Sequence, residues 1–354
     1  MMEVGAALTL DRLASAVHAR LQAAQGSMSV PGTPLRHHLP FLTLDIHCAT
    51  PIYAAHCRRA LVNMPAEGAE GTRLKIMVAD AQLHPALALP TWNEAAVGLG
   101  DIIERLESKA LDGCYEQDFR NWQFMSVEAG IGLKLLDGAG AWPPWESAFP
   151  LRHFLHWAYA ARGMRLLHAA SLGTGAKGVL LAGAGGAGKS GTTLAGVLAG
   201  LQSVGDDYLA LALDNGAARA FPVMKLMKQD ADGLARLGLN PHDPIFGARN
   251  WQQKFEFDIE ELVPGARMPE MAVSAILLPR ITGEARSRLS PATPRELMFA
   301  LMPNNLQQLP GRMKQGFDFI GRLSRSLPGY HLHLGSDPQE IAATIGNFME
   351  RNAR

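Results

Sequence analysis

Excess charge of either sign, cysteine and long apolar runs are all scarce in this chain. Lysine plus arginine and aspartate plus glutamate each number 33, so the formal net charge is zero. No overall field favours nucleic acid or an anionic membrane, and neither is expected as a partner. Cysteine occurs three times in 354 residues, at Cys48, Cys57 and Cys114. An odd number spread over a long chain does not read as a disulfide framework, and a reducing cytoplasm is the simplest compartment. Asp11 and Arg12 interrupt the first apolar stretch, so no secretory signal is expected. Later runs such as Gly178–Ala184 stop far short of the ~20 residues that span a bilayer. What remains is the composition of a soluble globular protein, 47% apolar and 19% charged.

The length suggests about two domains. Residues Leu8–Ala24 place Leu10, Leu13, Val17 and Leu21 at mostly helical spacing, which predicts an amphipathic helix. Short alternating runs at Leu42–Ile46, Leu74–Val78 and Gly132–Leu136 predict strands. The segment Gly138–Pro150 carries Gly138, Gly140, Pro143, Pro144 and Pro150, which can continue neither a helix nor a central strand. This divides the chain into an N-terminal α+β domain, residues 1–147, for substrate recognition or assembly, and a C-terminal domain, residues 148–354. In the second, a helix is expected over Leu151–Arg165, strands over Leu166–Leu172 and Gly178–Ala182, and a small-residue helix over Gly188–Leu198. A further strand should lead into Asp206 and Asp207, and an amphipathic helix should span Pro338–Arg351.

The string Gly183, Ala184, Gly185, Gly186, Ala187, Gly188, Lys189, Ser190, with Gly191 following, fits the pattern G-x-x-x-x-G-K-[S/T] between an apolar strand and a helix. A glycine-rich turn can aim several backbone N–H groups at phosphate oxygens, and the following helix adds its positive end. Lys189 can reach the β- and γ-phosphates, and the Ser190 hydroxyl can ligate a bridging Mg²⁺. A glycine-rich turn that binds nothing would not require lysine and serine at the helix start. Downstream, one carboxylate of the pair Asp206–Asp207 can hold Mg²⁺ and the other can accept a proton from an attacking hydroxyl. Two adjacent carboxylates also repel, so the one farther from the metal is expected to keep a raised pKa suited to base work. The plain alternative is a solvated turn. His168, between apolar and small neighbours, reads by itself as a core histidine. The pairs His47–Cys48 and His56–Cys57 lack the spacing of a zinc site.

Together these residues resemble the HPr kinase/phosphorylase superfamily, in particular the HPr-kinase-like serine kinases of lasso- and ribosomal-peptide biosynthesis. The likeness runs through Leu151–Leu172, Gly178–Thr193, Val204–Leu211, Met224–Leu226, Leu277–Gly283 and Tyr330–Ile341. It implies an α/β fold with the P-loop kinase core shared with phosphoenolpyruvate carboxykinase. It also implies an active-site histidine at His168, metal contact and base roles for Asp206 and Asp207, and basic positions at Lys225 and Arg280 that stabilise the transferring phosphoryl. Where bacterial HPr kinases carry an acidic residue after the lysine and serine, this chain has Gly191 and Thr192.

The expected function is an ATP- and Mg²⁺-dependent kinase that phosphorylates a hydroxyl, serine first, on a peptide or protein. The expected catalytic residues are Asp207, Asp206, His168, Lys189 and Arg280, with Gly183–Gly191 on the nucleotide and Ser190 and Asp206 on the metal. A kinase of a small hydroxylated metabolite and a nucleotide-sensing adaptor remain open as alternatives, as does a homo-oligomer.

Overall fold

The computed structural model describes residues 9–26, 34–65, 71–89, 98–138 and 140–352. They form a mixed α/β structure divided into two compact units. The first comprises residues 1–58, 63–161 and 310–312; the second comprises residues 59–62, 162–309 and 313–354.

In the first unit, α1 (Leu10–Gly26), β1 (Leu35–Leu39), β2 (Leu42–Cys48), α2 (Pro51–Ala60), β3 (Thr72–Asp80), α3 (Leu99–Glu107), β4 (Asp112–Glu116), β5 (Asn121–Ser126), β6 (Ile131–Leu136) and α4 (Arg152–Ala161) follow in order. Leu8, included in the expected first helix, lies outside the described residues. The strands make one six-stranded sheet, β1-β2-β3-β6-β5-β4, parallel at β2-β3 and β3-β6. α1 turns Leu13, Val17 and Leu21 into a core shared with Ile102 and Leu106 of α3 and with Ile131, Leu133 and Leu135 of β6. The alternate β6 positions carry Gly132, against which the Phe154 ring packs, and Lys134, fully buried with its Nζ 2.6 Å from Glu146 Oε1. Tyr53 donates from its hydroxyl to the same carboxylate. A buried ammonium with a carboxylate and phenol around it is the condition under which such a charge survives desolvation. α4 stops at Ala161, short of the expected Arg165, because Gly163 adopts φ 74°, a left-handed turn that ends a helix.

The second unit contains β7 (Arg165–Leu167), β8 (Ala170–Thr174), β9 (Lys177–Leu181), α5 (Lys189–Leu198), β10 (Leu209–Asp214), β11 (Ala217–Pro222), β12 (Leu226–Gln229), α6 (Ala231–Arg236), β13 (Phe255–Asp258), α7 (Ile259–Leu262), β14 (Met271–Glu284), β15 (Arg288–Ala292), α8 (Pro294–Met302), α9 (Met313–Ser326), β16 (Gly329–Gly335) and α10 (Pro338–Asn352). Eight strands form a sheet around the long β14, which pairs in parallel with β9 and β16 and antiparallel with β11. Alternation along β9 and β14 divides the core. Leu180, Ile276 and Leu278 face Leu297 and Leu301 of α8 and Phe319 and Leu323 of α9. Val179, Leu181, Ala275 and Leu277 face Leu194 and Val197 of α5 and Ile341 and Ile345 of α10. β12 and β13 make a separate two-stranded ribbon. Among the described residues no helix is long and apolar enough to cross a membrane.

Candidate functional site

Residues 182–188 connect β9 to the N-terminus of α5. Gly183, Gly186 and Gly188 take φ values of 149°, 80° and 103°, backbone that side-chain-bearing residues rarely adopt. Gly188 is constrained twice over, since an added Cβ would stand 2.5 Å from Leu334 Cδ1. Between Gly183 and Gly188 the turn carries no side chain larger than the methyl groups of Ala184 and Ala187. Lys189 opens α5 and is buried; its Nζ donates to the carbonyls of Gly183 at 2.8 Å and Ala184 at 3.2 Å, so the ammonium folds back across the loop. Burial lowers its pKa, and the charges of Asp207 and Asp206 oppose that shift.

The aspartate pair does not end a strand, as the sequence suggested. Residues 201–205 make only isolated bridges, Gln202 to Gly173 and Ser203 to Arg267, and β10 begins after the pair at Leu209. Serine hydroxyls add to the backbone bonds that Gln202, Ser203 and Gly205 make there. Ser171 Oγ lies 3.0 Å from Ser203 Oγ and accepts from Val204 N at 3.0 Å, and Ser203 Oγ accepts from Gly205 N at 3.0 Å. This pinned turn delivers Asp207 at φ 67°. Such a conformation costs a non-glycine residue about 1–3 kcal/mol and persists only where surrounding contacts impose it.

The two carboxylates occupy different environments. Asp206 is 4% exposed, and neither of its oxygens has a hydrogen-bond partner among the described residues. Burial first, and the charge of Asp207 second, push its pKa up to about 7, against the opposing influence of Ser190, Lys189 and Lys228. The Ser190 hydroxyl therefore stands close to this carboxylate without closing a hydrogen bond of ordinary geometry. Burial acts in the same upward direction on Asp207, but there it is outweighed. His168 Nε2 lies 3.2 Å from Asp207 Oδ1 and Lys228 Nζ lies 3.9 Å from Oδ2, and these groups with Lys189 hold Asp207 down at about 2, so the raised pKa falls on Asp206, the expected metal ligand, and not on the expected base.

His168 does not sit inside a continuous strand Leu166–Leu172. It occupies the break between β7 and β8, where its backbone N–H donates to Asn305 Oδ1 at 2.5 Å and its ring tilts over Tyr208 with centroids 5.2 Å apart. A backbone donor taken by a side chain is lost to the ladder, and the strand divides there. The Asn305 side chain comes from a π-helical turn, Pro303–Gln307, that also brings Asn304 Nδ2 to Gly183 O at 3.1 Å. One turn thus touches both the glycine-rich loop and the histidine that holds Asp207.

Lys189, Ser190, Asp206, Asp207 and His168 are therefore brought into one cluster, with Gly191 in the first turn of α5. Arg280 is not part of it. It lies exposed on β14 and lines a cleft beside Gly183 and Ala184, with no hydrogen bond or ion pair to the aspartates or to Lys189. The Lys225 backbone N–H donates to Ala60 O at 2.7 Å, and its carbonyl accepts from Arg267 Nη2 at 3.3 Å. The cation that reaches Asp207 is Lys228, on β12, which the sequence reading passed over. Its signal was available, because a lysine directly after the apolar pair Leu226–Met227 must find a partner if that strand is buried. Asn304 and Asn305 had no comparable signal, since a π-turn after Pro303 is not legible from local pattern.

The donor set fits Mg²⁺ on one observation: Asp206 presents two buried, unpartnered oxygens beside the Ser190 hydroxyl. A hard cation held by few protein oxygens and completed by phosphate and water needs no more from the chain.

No protein-family model matches the chain, and no curated protein matches it. Among solved structures it is similar to the Hpr(Ser) kinase/phosphatase from Coxiella burnetii, at 17% identity and a TM-score of 0.29, over 54% of this chain and 99% of that one. A likeness this distant carries no argument about activity, which rests on the residues of this chain alone.

Proposed function

We propose that the protein is an ATP-dependent kinase that transfers the γ-phosphoryl group to a hydroxyl, serine in the first instance, of a peptide or protein. The observation that carries this reading is the unequal aspartate pair beside the glycine-rich loop, with Asp207 contacted by His168 and Lys228 and Asp206 buried with no hydrogen-bond partner on either oxygen among the described residues. A motor or a passive nucleotide sensor has no need of an ionised carboxylate fixed in a strained turn at this position.

The loop N–H groups and Lys189 bind the phosphates, Lys189 exchanging its bonds to Gly183 O and Ala184 O for phosphate oxygens. Ser190 and Asp206 would hold Mg²⁺, which supplies charge neutralisation at the β- and γ-oxygens when bound. Asp206 gives up its proton on taking that role, as a ligand must. Asp207 accepts the proton of the acceptor hydroxyl as the oxygen bonds to the γ-phosphorus, and the bond from that phosphorus to the bridging oxygen breaks, leaving ADP with the electron pair. His168 keeps Asp207 Oδ1 in place during this step.

The test is incubation of the full chain with labelled ATP, Mg²⁺ and serine-bearing peptides, with the added phosphate located by mass. Phosphoserine is expected from the wild type and none from a folded Lys189→Ala variant. Release of free phosphate alone across all acceptors would replace the kinase reading by that of an ATPase.

A further inference from the structure

On the flank of the loop, a cleft of about 350 Å³ opens between α8, the end of β14 and residues 182–187; Ala184, Ala187, Leu278, Arg280, Phe299 and Asn304 are among its walls. Its volume lies at the lower end of small-molecule sites, which run from about 300 to 1,000 Å³. The walls are mostly apolar, and they are fastened to the loop by the bond from Asn304 Nδ2 to Gly183 O. One side chain there is unexplained by folding. Leu297 and Leu301 of α8 are buried at 0% and 1% exposure, whereas the Phe299 ring on the same helix is 63% exposed. The Arg295 guanidinium lies over that ring, 5.4 Å from its centroid. At the rim, the Arg280 guanidinium has no ion-pair partner among the described residues.

We infer that this cleft takes the nucleoside part of the nucleotide, an aromatic base with its sugar, whose phosphates lie in the adjoining loop. The base stacks on Phe299, whose π-face accepts any nucleobase, and Arg280 faces the anionic end of the ligand. This rests on the phosphate-binding reading of the loop, and it adds where the base goes and why the ligand is a nucleotide rather than a bare polyphosphate. Phe299 is a specificity-determining residue for the donor, with no part in the transfer itself.

The experiment is calorimetric titration of the full chain with Mg²⁺-ATP and, separately, with Mg²⁺-tripolyphosphate. Phe299→Ala is expected to weaken ATP about tenfold, the loss of one base stack, and to leave tripolyphosphate within about twofold. Phe299→Tyr should restore ATP, and Lys189→Ala should weaken both ligands. Because Phe299 is exposed, its truncation does not threaten the core. Equal ATP affinity in the wild type and Phe299→Ala would overturn the base site, while a Lys189→Ala loss on both ligands would leave the loop reading standing. Failure of the wild type to bind either ligand would overturn both.

Discussion

Replacing Asp206 by asparagine removes a carboxylate that the fold buries without a partner, and the effect should appear as a change in how stability depends on pH. In the folded chain burial and Asp207 raise the pKa of Asp206 from 3.8 to about 7. Between those values the folded state holds a proton that the unfolded chain has released, so wild-type stability falls as pH rises from about 4 to about 7 and is level above. The lowered pKa of Asp207 acts below that window, where stability is lost as pH falls through about 2. Comparing pH 5 with pH 8 spans about two pH units of the Asp206 window, which at 1.36 kcal/mol each gives about 3 kcal/mol. For a unit of this size that is roughly 6–12 °C in Tm. Thermal unfolding in the presence of a chelator, at both pH values, measures it. Asp206→Asn should lack this loss, so that its Tm relative to wild type rises between pH 5 and pH 8. Added Mg²⁺ at pH 8 should raise the wild-type Tm and leave the variant where it was. Parallel pH dependence in the two proteins would show that Asp206 is not held neutral by its surroundings and would refute the division of the pair.

Lys228→Met should lower kcat at least about tenfold and move the acid limb of the pH–rate profile upward, because the cation 3.9 Å from Asp207 helps keep it ionised; an acid limb that stays in place would remove Lys228 from the site. Gly188→Ala should destabilise the second unit by more than ~1 kcal/mol in urea titration and abolish nucleotide binding, since it places a Cβ at φ 103° and 2.5 Å from Leu334 Cδ1. Wild-type stability and binding in that variant would mean the turn adapts freely.

Much of the local framework was legible in the sequence, and the reasons differ by element. The strand–loop–helix unit from Lys177 to Leu198 is encoded by consecutive residues: an apolar run, glycines where the backbone turns left-handed, and small residues propagating α5. The first and last helices could be read from their apolar faces, Leu13, Val17 and Leu21 in α1 and Ile341 and Ile345 in α10. The strands at Leu166–Leu172 and before Asp206 were misread because apolar composition reports burial, and burial does not require a ladder. His168 N is taken by Asn305, and residues 203–205 are pinned by serine hydroxyls. At His168 a side chain from a distant segment displaced regular pairing, whereas before Asp206 the backbone bonds to Gly173, Ser171, Ala266 and Met268 form isolated bridges instead of a continuous strand.

The sequence by itself determined where a phosphate-binding turn can form, since that depends on neighbours along the chain. Only the tertiary structure decided what the two aspartates beside it become. Asp206 and Asp207 are adjacent and chemically alike, yet the surroundings push the pKa of the first up and that of the second down. Desolvation and charge act through space, and the groups that separate the pair come from the β7–β8 break, from the β12 ribbon and from the start of α5. Lys228 is 21 residues beyond Asp207 in the chain and 3.9 Å from it in the fold, a proximity that no local pattern encodes.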